Sequence, residues 1–129
     1  MLDEQTSAPP LESLQAVADG ADVLQLVEAA RDIFVEESLG RYVVAVLRQT
    51  RGDPRVYLGA SPRAGIALLR VAKARALAEG RDYVMPEDVK AVAAPVLAHR
   101  LILAPEARTA GLGAEELVAD ALARTPVPV

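Results

Sequence analysis

Residues 59–80, with the sequence GASPRAGIALLRVAKARALAEG, predict the central helix of the fold. Ser61 is a preferred N-cap residue, and Pro62 falls at the first helical position, where its missing N–H costs nothing. Gly80 is a typical residue for a helix end. Between these ends, apolar residues occur on more than one side of the helix, a pattern typical of a helix packed by several neighbours. We therefore expect a helix from residue 62 to about residue 79 at the centre of the domain.

Four further segments have the apolar spacing of amphipathic helices. One follows Asp19, which is a suitable N-cap, and the second begins near Glu36 and ends before Pro54. The third begins at Pro86, and the last covers about residues 114–124. The predicted fold class is therefore all-α, a small bundle of about five helices.

Two short apolar runs interrupt this helical pattern. Residues 33–35 (IFV) and 101–103 (LIL) are β-prone and are candidates for a minor two-stranded pairing. Pro95 lies inside the helix that begins at Pro86, so we expect a kink or a break there.

The composition excludes several kinds of site. The 129 residues suit one domain, and only 3% of them are aromatic, so Ala, Val, Leu and Ile must form the core. There is no cysteine and one histidine, His99, which excludes disulfides, thiolate zinc sites and Cys nucleophiles. The only lysines, Lys73 and Lys90, do not follow the Gly-rich loop of a nucleotide-hydrolysing site. We expect neither a metal site nor a catalytic residue within the chain.

The chain lacks the features of a membrane or secreted protein. No apolar run approaches the roughly 18 residues that a membrane-spanning helix needs. The first residues, MLDEQT, are acidic and polar, which argues against a signal peptide. We therefore expect a soluble, cytoplasmic domain with no membrane contact.

The charge is unevenly distributed along the chain. The formal net charge is −4, yet residues 39–81 contain nine basic and only two acidic residues. This basic middle either meets an anionic partner or is a solvated helical face compensated by acidic neighbours. The acidic total and the scarcity of aromatic residues argue against a nucleic acid as that partner.

Arg63 is the candidate binding residue. It falls in the first turn of the central helix, where unpaired backbone N–H groups and the helix dipole favour an anion. Its guanidinium adds a positive charge and a fork that fits phosphate oxygens, and Ser61 and Pro62 set the direction in which it points. Arg63 is thus either a phosphate sensor or an exposed arginine paired with a carboxylate.

Several of these segments resemble the C-terminal lid, or sensor 2 domain, of the MoxR family of AAA+ ATPases. The matching runs are residues 58–64 (LGASPRA), 80–89 (GRDYVMPEDV), 97–101 (LAHRL), and upstream residues 10–11, Tyr42, Val43, Val46, Thr50 and Arg51. The similarity covers about residues 9–128. Magnesium-chelatase subunits have a related lid, but the GASPR run favours MoxR. One departure is Met85, which stands where a Ser or Thr cap is usual.

The resemblance implies a helical lid that closes over ATP, with Mg²⁺, bound by a P-loop module of the same chain and shared between subunits of a ring. It implies that Arg63 is the sensor 2 arginine, supported by Ser61 and Pro62, that takes part in ATP hydrolysis and couples nucleotide state to lid movement. It also implies a chaperone-like ATPase with a von Willebrand A-domain protein as a possible partner.

The Walker A and Walker B segments of that family are absent, so we do not expect this chain alone to hydrolyse ATP. We expect a disordered tail over residues 1–8, the lid over residues 9–126 and a short tail over residues 127–129. The alternative function is a free-standing helical adaptor that binds an acidic protein through its basic middle.

Overall fold

The structure, a computed structural model, describes residues 14–128 and contains six α-helices and one two-stranded sheet within them. In chain order the elements are α1 (Gly20–Asp32), α2 (Glu37–Gly52), β1 (Val56–Leu58), α3 (Pro62–Ala78), α4 (Pro86–Leu97), a 3-10 turn (Ala98–Arg100), β2 (Ile102–Leu103), α5 (Pro105–Thr109) and α6 (Ala114–Arg124). The predicted all-α class and the five predicted helices are confirmed. The short helix α5 was not predicted, because five residues contain too little periodicity to recognise. The predicted tail at residues 1–8 lies outside the described residues.

Helix α3 is the centre of the bundle, as its sequence predicts. It packs against α1, α2 and α4, and it buries Ala64, Gly65, Leu68, Ala72 and Ala76. The alanine and glycine positions let the neighbouring helices approach closely. Leu68 of α3 and Leu97 of α4 have no exposed surface and fill the space between the helices. The helix ends where expected, since Gly80 has a φ of 73°, a conformation that glycine adopts without strain.

The predicted pairing of residues 33–35 with residues 101–103 is wrong. The small sheet is antiparallel, but in it β2 pairs with β1, with Val56 opposite Leu103 and Leu58 opposite Ile102. Phe34 instead forms an isolated parallel bridge with Tyr83. Residues 33–35 follow α1, and α1 packs beside α3, so they lie next to the residues that follow α3. Helix packing therefore determines which short segments meet, and three apolar residues cannot specify it.

Helix α4 does not break at Pro95. It continues to Leu97 and then tightens into the 3-10 turn, so the disturbance comes after the proline. Met85 provides no side-chain cap, but its backbone N–H donates to Asp88 Oδ2 at 2.8 Å. Asp88 also accepts two bonds from Arg81 at 2.7 Å, and this guanidinium holds the pKa of Asp88 below its usual range. Asp88 thus makes one half of a capping box, and Met85 has no side-chain oxygen to make the other half.

The hydroxyl of Tyr42 is the one buried side-chain polar atom without a hydrogen-bond partner among residues 14–128. Tyr42 is only 3% exposed, and burial raises the pKa of its phenol. A buried donor without a partner loses its bonds to water without compensation.

We therefore expect Tyr42→Phe to leave the free energy of unfolding unchanged or to raise it by up to about 1 kcal/mol. Thr50→Val is the control, since the buried Thr50 hydroxyl does make hydrogen bonds, and its loss should cost about 2 kcal/mol. Urea unfolding followed by circular dichroism measures both, and a destabilised Tyr42→Phe protein would contradict the expectation.

In the part of the chain that the structure describes, no helix is long and apolar enough to cross a membrane.

Candidate functional site

The start of α3 has the local structure that the sequence predicts. Ser61 is the N-cap, and its side chain accepts a hydrogen bond from the backbone N–H of Ala64 at 3.3 Å. Pro62 occupies the first position of the helix, and Arg63 follows it with an exposed side chain. The helix is 17 residues long, so the positive end of its dipole lies beside Arg63.

Thr50 at the end of α2 fixes the segment that leads into Ser61. Its buried hydroxyl donates to the carbonyl of Leu47 at 2.8 Å and accepts from the backbone N–H of Ala60 at 3.0 Å. The side chain therefore joins α2 to the residue just before the N-cap. No local sequence pattern assigns this role to Thr50, because the contact joins residues ten positions apart.

Two glycines, Gly59 and Gly65, allow the backbone around the start of α3 to lie close to the last turns of α2. A Cβ on Gly59 would lie 2.7 Å from Arg51 Cα and 2.8 Å from Arg51 N, which are backbone atoms. A Cβ on Gly65 would lie 2.7 Å from Leu47 Cδ1. The GASPRAG run thus packs against the last turns of α2 before and after the N-cap, and this contact determines where Arg63 stands.

A buried carboxylate, Asp53, holds the turn between α2 and β1 in place. Asp53 is 4% exposed and accepts from Arg55 at 2.8–3.0 Å and from Arg124 of α6 at 2.6 Å. Arg55 also donates to Asp120 of α6 at 2.8 Å. The hydrogen bonds from Arg55, and then the one from Arg124, hold the pKa of Asp53 well below its usual range. This ion-pair cluster ties the turn before β1 to α6.

Arg63 lines a hollow of about 590 Å³ together with two other arginines. Arg70 comes from the same face of α3, and Arg100 comes from the 3-10 turn after α4. The rest of the lining is apolar (Ile66, Ala67 and Val71), and no acidic residue of the described chain contributes to it. We call this the three-arginine hollow.

The arginines of the hollow differ from most others in the protein. Six arginines have a carboxylate partner: Arg31, Arg41, Arg55, Arg75, Arg81 and Arg124. Within residues 14–128, Arg63, Arg70 and Arg100 have none, and neither do Arg48, Arg51 and Arg108, which do not line the hollow. Four of the six lie in the basic middle of the sequence, so that stretch is partly compensated by acidic neighbours and is not a continuous basic surface. Arg100 lies outside that stretch, and its position in the fold, not its sequence, brings it to the hollow.

The family model described as the AAA lid domain matches residues 48–121, more than half of the chain, including Thr50 and the whole three-arginine hollow. The chain belongs to the AAA lid domain family. The resemblance to MoxR-family lids is also confirmed, because two similar proteins carry the names MoxR1 and MoxR.

Among these relatives is the uncharacterized protein YeaC of Bacillus subtilis, which is 37% identical over 129 residues, 100% of this chain and 40% of YeaC. Chaperone MoxR1 of Mycobacterium tuberculosis is 36% identical over 92% of this chain and 34% of its own length. The protein MoxR of Paracoccus denitrificans is 49% identical over 54% of this chain and 21% of its own length.

A solved structure has the same fold. The crystal structure of a Cytophaga hutchinsonii protein, provisionally described as an ATPase, aligns with a TM-score of 0.83 and 33% identity over 89% of this chain and 38% of that protein. This chain thus spans well under half the length of each of these relatives.

Proposed function

We propose that this lid belongs to a MoxR-type AAA+ ATPase and contributes Arg63 to ATP binding and hydrolysis as the sensor 2 arginine. The observation that supports this most directly is the setting of Arg63. It is exposed in the first turn of a long helix, it has no carboxylate partner among residues 14–128, and it lines a hollow with two more arginines. Such a donor set fits phosphate oxygens, which carry several negative charges and accept from guanidinium groups.

Arg63 would act on the charge of the γ-phosphoryl group. A guanidinium held at that place stabilises negative charge that increases in the transition state of phosphoryl transfer. No carboxylate lines the hollow, so we assign no residue of the described lid to Mg²⁺; its ligands and most phosphate contacts would come from the P-loop module. ATP hydrolysis is therefore proposed for the whole protein and not for the lid alone.

The way in which Arg63 is held suggests how nucleotide state would couple to movement. Thr50, Gly59 and Gly65 fix the first turn of α3 against α2, so a force on Arg63 would act on the bundle as a unit. Loss of the γ-phosphate would remove the attraction that holds the lid closed. We propose that this lid movement transmits hydrolysis to a client protein, in keeping with the name of the chaperone MoxR1.

Partners of the lid follow from the same proposal. The apolar residues Val23, Leu24 and Leu26 of α1 are each more than half exposed and would face the P-loop module of the same chain. Ring formation with neighbouring subunits and a von Willebrand A-domain partner are proposed only from the MoxR resemblance. A free-standing adaptor is the less supported alternative, because most of the paired arginines lie in the basic middle that it would use.

The test is Arg63→Ala in the full-length protein that carries this lid. We expect ATP turnover to fall about 100-fold, since removing one donor to a developing charge costs a factor of 10² to 10³. Steady-state ATPase assays measure it, and circular dichroism checks that the lid is folded. Lys90 is an exposed residue of α4 outside the hollow, so Lys90→Ala controls for the loss of one positive charge. Unchanged turnover in Arg63→Ala would remove the sensor 2 assignment and favour the adaptor.

A further inference from the structure

The 3-10 turn after α4 presents a histidine and an arginine that are hydrogen-bonded to each other. His99 Nδ1 lies 3.1 Å from the carbonyl oxygen of Pro95, and Arg100 Nε lies 3.3 Å from His99 Nε2. A carbonyl oxygen only accepts, so Nδ1 must be the nitrogen that carries the proton, and Nε2 of the neutral ring is then an acceptor. The result is a series of two hydrogen bonds that runs from Arg100 through His99 to the backbone of α4.

These two hydrogen bonds leave most of the N–H donors of Arg100 available to a ligand. Arginine has five N–H donors, and the bond to His99 uses only the one on Nε. The two terminal nitrogens have no carboxylate partner within residues 14–128, and the side chain lines the three-arginine hollow. Arg100 therefore lines the same hollow as Arg63 but comes from a different element of the fold.

We propose that Arg100 is a second arginine that contacts the nucleotide phosphates together with Arg63, and that His99 is its positioning residue. The inference rests on the proposed function of Arg63. Two guanidinium groups beside the start of a long helix, with no acidic residue in the lining, concentrate positive charge that a triphosphate neutralises. Arg70 is less suited to this role, because it lies seven residues, or about 10 Å, farther along α3 than Arg63.

The first experiment compares Arg100→Ala with wild type in the full-length protein. We expect kcat/KM for ATP to fall about tenfold, with a rise in KM, because Arg100 contacts a bound phosphate in addition to Arg63. The combined Arg63→Ala and Arg100→Ala variant should lose less than the product of the two single losses, since both groups contact the same anion. Lys90→Ala removes an exposed charge from α4, outside the hollow, and should leave both parameters unchanged.

The second experiment separates positioning from a structural role. His99→Ala should lower kcat/KM about threefold in the wild-type background and have no effect in the Arg100→Ala background. His99→Gln should recover part of the loss, since its amide oxygen can accept from Arg100. A structural role would give the same loss in both backgrounds, and that result would overturn the assignment of His99.

The outcomes distinguish this inference from the function on which it rests. If Arg63→Ala lowers turnover and Arg100→Ala does not, Arg100 is no phosphate ligand and the sensor 2 proposal stands. If neither variant changes the kinetics, the sensor 2 proposal itself fails. If Arg100→Ala leaves the ATP parameters unchanged but weakens binding of an acidic protein to the lid, the hollow is a protein-docking site and the inference is overturned.

Discussion

Replacing Gly59 by alanine is expected to destabilise the lid by about 3 kcal/mol, because the added methyl group has no space. The new Cβ would lie 2.6 Å from Arg51 Cγ, 2.7 Å from Arg51 Cα and 2.8 Å from Arg51 N. A side chain can rotate away from such a contact, but the hydrogen-bonded backbone of α2 cannot. The connection between β1 and α3 would have to move away from α2.

This movement should also reduce activity in the full-length protein. Gly59 lies four residues before Arg63, and the adjacent Ala60 N–H is the donor to Thr50. Separating the two segments would break that bond and shift the first turn of α3 by a fraction of an ångström or more, which is enough to spoil a phosphate contact. We expect a lower ATP turnover even at temperatures where the Gly59→Ala lid remains folded.

Gly40 provides the matched control. It lies inside α2, and nothing lies within 4 Å of a Cβ built on it. Gly40→Ala should therefore stabilise the protein by about 0.5–1 kcal/mol, since alanine is the better helix former. Urea unfolding of the isolated lid measures both variants. Equal stabilities for Gly59→Ala and wild type would show that α2 and the β1–α3 connection are not in contact as described.

The helices were predictable because their ends are encoded locally. Ser61 and Pro62 define the start of α3 and Gly80 its end without reference to the rest of the chain. The same holds for Asp19, whose side chain accepts from Asp22 N at 2.9 Å, as a capping box predicts. Arg63 could be singled out for the same reason, because its position within the first turn of a helix is a property of neighbouring residues.

The remainder of the site could not be predicted because it depends on which helices are neighbours. Arg100 comes to the hollow only because α4 packs against α3, and the local sequence around it gives no sign of this. Thr50 and Gly59 look unremarkable until α2 and the β1–α3 connection are seen together. The wrong partner assigned to residues 33–35 has the same origin, since a three-residue strand has too few side chains to select its partner.

The second large effect is expected at Asp53, whose replacement by alanine should cost about 3 kcal/mol of stability at pH 7. Its carboxylate is almost fully buried and accepts four hydrogen bonds from Arg55 and Arg124. Without it, the two guanidinium groups lose the acceptor that they share and repel each other. Both arginines are about a third to a half exposed, so partial hydration keeps the loss toward the lower end for a buried pair.

Acid should reproduce part of this loss in the wild-type lid, and the direction follows from the depressed pKa of Asp53. An unfolded aspartate has a pKa of about 4, and in the folded lid the value is lower, so the unfolded state binds the proton first. The stabilisation is fully present above about pH 4 and is lost as the pH falls through the folded-state pKa. Wild type should therefore lose more stability between pH 7 and pH 3 than Asp53→Asn does, and urea unfolding at both values measures the difference.

Two other aspartates, Asp120 and Asp88, provide the control and the remaining acid sensitivity for the Asp53 experiment. Asp120→Ala is the matched control, because this half-exposed carboxylate makes a single ion pair with Arg55 and should cost about 0.5 kcal/mol. Asp88 also has a lowered pKa, owing first to its bonds from Arg81, so the Asp53→Asn lid should keep part of its acid sensitivity. Identical losses of stability in wild type and Asp53→Asn would show that Asp53 is not held by Arg55 and Arg124 in the folded lid. The connection between α2 and β1 would then need another anchor to keep Arg63 in place.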